Sequence, residues 1–168
     1  MPKEKGYNHR LALAQRAVAC PGWKPMGGML VDVPLAGRAR LYDLGHGTLR
    51  LDGPGKATLT NRRNAGRVAS MLPVLTDHGT LGCLRELVQQ AWPLPGAYLQ
   101  VTRVSYTEWV VTFMGQVIGK GATEGEALVH ALEVAGLMKD WPGKGWAANR
   151  SILEQAVEQV HRKELVTP

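Results

Sequence analysis

The sequence predicts an α+β fold: a small, mainly antiparallel sheet with helices packed largely on one face, plus a β-rich basic insertion over residues 30–74 and a C-terminal helix over 148–165. Three observations carry that expectation. The tract from Asp77 to Ala135 reads helix, strand, strand, helix, with start signals on both helices. The residues between those helices are β-branched and aromatic, and the 30–60 region alternates short extended runs with glycine turns. At 168 residues the chain is expected to be a single domain, built around 77–137 and able to bury roughly two thirds of its unfolded surface.

The elements follow in order. Leu11, Leu13, Ala14, Ala17 and Val18 share a helical stripe over 8–19, and Cys20-Pro21-Gly22 ends that helix, because proline disfavours the α conformation in the residue before it. The connector from Trp23 to Met29 is rich in turn residues and lays Trp23 and two methionines on a core. Leu30–Val33, Arg38–Leu44 and Thr48–Leu51 read as strands, the last two joined by Gly45-His46-Gly47 in a bulged hairpin. Asp52–Gly55 is a turn before Lys56–Thr60. The polar content of this region implies a sheet exposed on one face, or a mobile insertion.

Asp77 suits an N-cap, and Leu81, Leu84, Leu87, Val88 and Ala91 then form one helical face that Pro93–Gly96 ends. Tyr98–Val104 and Trp109–Phe113 are the two strands, with Val117 and Ile118 continuing the ladder after a turn at Gly115. Thr123 and Glu126 form a capping box for a helix that buries Leu128, Ala131, Leu132 and Ala135. Asp140–Gly145 reads as a loop framing Trp141 and Trp146, and a last helix starts near Asn149 or Ser151 with a second capping box.

Charge is placed unevenly. Residues 1–67 hold 12 Lys/Arg against 4 Asp/Glu, a net of +8, and residues 68–168 hold 8 against 10, a net of −2. The partner this implies is an acidic protein surface or a nucleic acid. No run approaches the ~20 apolar residues of a membrane span, so no membrane partner is expected. The opening Met1-Pro2-Lys3-Glu4-Lys5 lacks an apolar signal core, and Cys20 and Cys83 have no CxxC companion. These features predict a reduced protein of the cytoplasm with two small buried thiols, Cys20 the more exposed.

The run Val18-Ala19-Cys20-Pro21-Gly22-Trp23-Lys24-Pro25-Met26-Gly27-Gly28-Met29, the helix Asp77–Trp92 and the helix Thr123–Ala135 resemble a family of uncharacterised bacteriophage and prophage proteins. Those proteins share a "VACPGW…M.GM" opening, a "DPATLGCL…LVREAW" helix and a "TEAEALVAALEAA" helix. The resemblance covers roughly half the chain and implies a phage or prophage origin, with action in the host cytoplasm, but no activity. His78 and Gly79 stand where the pattern has Pro-Ala, a change expected to weaken the helix start. The 30–74 segment and the chain after Lys139 have no counterpart in it.

Catalytic motifs fail in detail. Gly115–Gly121 sits where a phosphate loop would, yet has three residues before Gly119-Lys120 instead of four, and Gly121 where Ser or Thr holds magnesium. The five histidines show no HxxxH or HExxH spacing, and adding the cysteines gives no zinc pattern. His130 is expected at the rim of its helix stripe. No cofactor and no metal are therefore expected, and a small enzyme of unknown class is the remotest reading.

The positive signal is basic. Arg62, Arg63 and Arg67, with Lys56 upstream, could meet phosphates or carboxylates, Arg63 and Arg67 on one helical face. Arg38 and Arg40, two apart on a strand, face the same side, and Trp23 with Lys24 adds a stacking group. The competing reading is a solvated sheet edge kept from pairing by its charges. The expectation is a non-enzymatic phage accessory protein, such as a host-defence inhibitor or regulator, that binds a host or phage macromolecule through 38–67. The narrower alternative is a nucleic-acid-binding protein using that same region.

Overall fold

The computed structural model describes residues 3–46, 48–53, 57–60, 70–92, 98–138 and 150–166. Lys56, Arg62, Arg63 and Arg67, the Pro93–Gly96 stop and the Trp141/Trp146 loop lie outside them. The chain is α+β, with four helices and two antiparallel sheets among the described residues. It divides into two compact units: residues 1–19 with 23–83, and residues 20–22 with 84–168.

The first unit holds α1 (Lys3–Ala19), β1 (Leu30–Val33), β2 (Gly37–Asp43), β3 (Thr48–Asp52), β4 (Ala57–Thr60), β5 (Leu72–Pro73) and the first turns of α2 (His78–Ala91). Helix α1 begins five residues before the stripe predicted for it and ends at Ala19 as the Pro21 signal requires. Its buried Leu13, Ala14 and Ala17 belong to the face expected to be apolar. The five strands run antiparallel in the order β4-β3-β2-β1-β5. Alternation is strict: Val31, Val33, Ala39, Leu41, Leu49 and Leu51 point inward, and Asp32, Arg38, Tyr42 and Arg50 point out. Of the two readings of this polar region, a sheet with one solvated face is the observed one. The β2–β3 hairpin closes as its glycines suggest, with Gly45 and His46 at positive φ and Leu44 N–H bonded to Thr48 O.

The second unit holds the rest of α2, then β6 (Leu99–Ser105), β7 (Glu108–Phe113), β8 (Gln116–Gly121), α3 (Glu124–Leu137) and α4 (Arg150–Val166). The sheet is a three-strand meander, and the ladder expected to continue at Val117 and Ile118 is a full third strand. The Gly119-Lys120-Gly121 run weighed as a phosphate loop is this third strand, and its glycines serve packing. A Cβ on Gly119 would meet the Ala127 carbonyl and the Ala131 amide, and one on Gly121 the first turn of α3. Helix α3 therefore lies directly on β8. Its start is the predicted capping box: Glu126 N–H donates to Thr123 Oγ1 and Glu126 Oε2 accepts from Thr123 N–H.

Three expectations in this unit need correction. His130 is not at a rim; it is fully buried, because α3 is enclosed on every side from Gly125 to Leu132. Helix α4 starts at Arg150, which places Ser151 inside the helix and not at its N-cap. Cys20 is also not the more exposed cysteine: it is buried at 6% exposure, against 9% for Cys83. No helix among the described residues is long and apolar enough to cross a membrane.

Candidate binding surface

The outward face of the five-stranded sheet is where the predicted basic residues can be located. Arg38 and Arg40 do share it, two apart on β2, and the register fixes their neighbours: Arg38 lies opposite Asp32, Arg40 between Leu30 and Asp52, and Tyr42 opposite Arg50. What each guanidinium does differs sharply. Arg38 Nε reaches Asp32 Oδ1 at 3.1 Å with both side chains more than half exposed. An exposed pair of this kind contributes about 0–1 kcal/mol, so Arg38 can exchange Asp32 for an external anion at little cost.

Arg40 cannot. Its Nη2 donates to Asp77 Oδ1 at 2.7 Å, and its Nη1 donates to Gly28 O at 2.6 Å and to Asp77 Oδ2 at 3.2 Å. Asp77 in turn accepts from Thr80 N–H at 2.9 Å, the helix cap read from the sequence, and from Thr80 Oγ1 at 3.1 Å. The Arg40 guanidinium, with help from Thr80, holds the Asp77 carboxyl at about 2 against burial that pushes it up. Arg40 is thus a structural ligand that joins β2 to the start of α2, and it does not belong to a contact surface.

This junction also ties the connector before β1 to the first turns of α2. Cys83 Sγ donates to Gly27 O at 3.4 Å, and Leu30 N–H donates to Thr80 Oγ1 at 2.9 Å. Gly79, read as a weakening of the helix start, has a steric reason. A methyl there would stand 2.6 Å from Gly28 O and 2.7 Å from Arg40 Nη1. Gly79→Ala is therefore expected to lower stability by about 1–3 kcal/mol, although helix propensity alone favours alanine by about 1 kcal/mol. A urea midpoint shifted upward would disprove this steric account.

Trp23 is half-buried and Lys24 exposed, so they are adjacent in sequence but present different amounts of surface. Arg50 was missed by the sequence reading. Its guanidinium carbon lies 5.3 Å from the centre of the Tyr42 ring, and Tyr42 is 41% exposed. The hairpin register could have found it, since a loop centred on Gly45-His46-Gly47 sets Tyr42 against Arg50. Among the described residues, the outward sheet face carries Arg38, Tyr42 and Arg50, and Lys24 is exposed on the connector before β1.

The unit boundaries preserve the charge asymmetry. The first unit holds 12 Lys/Arg against 5 Asp/Glu, a net of +7, and the second 8 against 9, a net of −1. Among the described residues no group of three or more His, Cys, Asp or Glu side chains is placed to hold a metal. No protein-family model, no curated protein and no solved structure matches this chain.

Proposed function

We propose that this chain is a non-catalytic phage or prophage accessory protein that docks on an acidic macromolecule of the host or of the phage through its first unit, in the host cytoplasm. The observation that carries the reading is the partition of charge, +7 on one compact unit and −1 on the other. The phage setting rests on the sequence resemblance. The contact residues are Lys24, Arg38 and Arg50, together with Lys56, Arg62, Arg63 and Arg67; Arg40 is excluded because Asp77 and Gly28 occupy it.

Affinity capture from infected host cells, with and without nuclease, tests this. Replacing Arg62, Arg63 and Arg67 by Glu is expected to abolish capture while the circular dichroism spectrum stays unchanged. Capture that survives the triple replacement in a folded protein sinks the proposal.

A second reading, nucleic-acid binding, is favoured by one feature: the outward Tyr42 ring with Arg50 over it offers a cationic stacking platform of the kind that single strands use. It predicts binding that weakens steeply with salt as counterions are released, and a capture that nuclease removes. Arg50→Glu should then weaken binding at least tenfold, measured by fluorescence anisotropy at fixed salt.

A further inference from the structure

We propose that β6 is a pairing edge, and that its occupant is β6 of a second copy of this chain. The proposal is independent of the charged unit and rests on how the sheet edges of the second unit are treated. On β8, Lys120 N–H and Lys120 O both lie 2.9 Å from His130 Nδ1, so the buried histidine covers that edge, and α4 packs against the same strand. In the first unit, β5 is blunted by its length of two residues and by Pro73, which has no N–H to offer. Strand β6 has neither device. It is seven residues long, spans about 23 Å, pairs only with β7 among the described residues, and is exposed along Thr102–Ser105.

The geometry says which of its backbone groups point away from β7. In an antiparallel ladder a residue's N–H and C=O point the same way, and the direction alternates along the strand. Lys120 points both groups at His130, away from β7, so its partner Val110 points both toward β6. Thr102, opposite Val110, therefore bonds inward, and Leu99, Val101 and Arg103 point outward. A two-fold axis at Val101 pairs all three: Val101 with Val101, and Leu99 with Arg103, in both directions. The backbone pairs of this register, Leu99 to Arg103, lie in the regular stretch before the irregularity at Arg103/Ser105.

The side chains favour the same occupant. The register sets Tyr98, 81% exposed, beside Val104 of the copy, 61% exposed, and does so twice. The single charge of the strand, Arg103, already folds back on Ser105 O at 3.1 Å and Tyr106 O at 3.0 Å. A unit of net charge −1 opposes a second copy very little.

Sedimentation velocity on the full chain tests the idea. A species of twice 18.3 kDa is expected at tens of micromolar, and Val101→Pro, which removes an outward amide without touching the β6–β7 ladder, should weaken association at least tenfold. Register is read separately. Gln100→Cys and Thr102→Cys proteins, mixed and oxidised, should form a disulfide-linked heterodimer, since directly opposed non-bonded residues have Cα atoms about 4.5 Å apart. Neither protein alone should link. A monomer at every concentration overturns the proposal, as does a dimer with no cross-link between those positions or a monomer that takes up a foreign extended peptide on β6.

Discussion

Gly119→Ala is expected to destabilise the second unit by about 3 kcal/mol, because the two atoms nearest the added methyl are helix backbone. It would strike the Ala127 carbonyl, stand 2.9 Å from the Ala131 amide and 3.0 Å from the Ala131 methyl. Flexible side chains can rotate away from such an intrusion; a helix backbone cannot. Helix α3 would have to lift from β8, unpacking a segment whose residues from Ala127 to Leu132 are all at most 2% exposed. Gly82→Ala is the matching control. A Cβ there meets nothing within 4 Å, and the site lies inside α2, so alanine should raise stability by about 0.5–1 kcal/mol. Urea unfolding followed by tryptophan fluorescence reads both. Equal effects of the two substitutions would show that β8 and α3 are not in direct backbone contact.

Asp77→Ala should cost about 2–4 kcal/mol, from two losses at one carboxylate. The cap on Thr80 N–H contributes roughly 1 kcal/mol, and the charged hydrogen bonds to Arg40 contribute about 1.5–3 kcal/mol, the two not strictly additive. A double-mutant cycle with Arg40→Met should give a coupling of more than about 1 kcal/mol; additive effects would remove the clamp. The pH dependence has a definite sign. Asp77 has its carboxyl lowered from 3.8 to about 2 in the folded chain, with Arg40 as the main cause. The folded state therefore binds this proton less readily than the unfolded state. The stabilisation, on the order of 2 kcal/mol, is present above about pH 4 and lost as pH falls toward 2. In the Asp77→Ala protein that part of the acid loss should be missing.

How far these sites could be read in advance depended on the range of the physics. Asp77, Thr123 and Glu126 were legible because a cap is satisfied within four residues of itself. The inward–outward alternation of β1, β2 and β3 was legible because a strand has period two. The fate of Arg40 was not. Its sequence neighbours mark it as one more exposed cation beside Arg38, and the carboxylate that takes it lies 37 residues away. Gly79 looked like a weak helix start for the same reason, since the carbonyl that forbids a methyl there belongs to Gly28. His130 was misplaced because helical periodicity identifies one apolar face, and α3 is enclosed all round.

The linear chain by itself determined most helices and strands, the α+β class and the concentration of positive charge in its first 67 residues, all of which follow from local periodicity, capping chemistry and residue counts. Tertiary structure alone decided which arginine is spent on the fold and which is open to solvent. It also decided that Gly119 and Gly121 serve contact with a helix, and that among the described residues β6 pairs only with β7 while His130 meets the outer edge of β8. These outcomes turn on groups tens of residues apart meeting within hydrogen-bond or van der Waals range, and the order of residues along a chain carries no record of that distance.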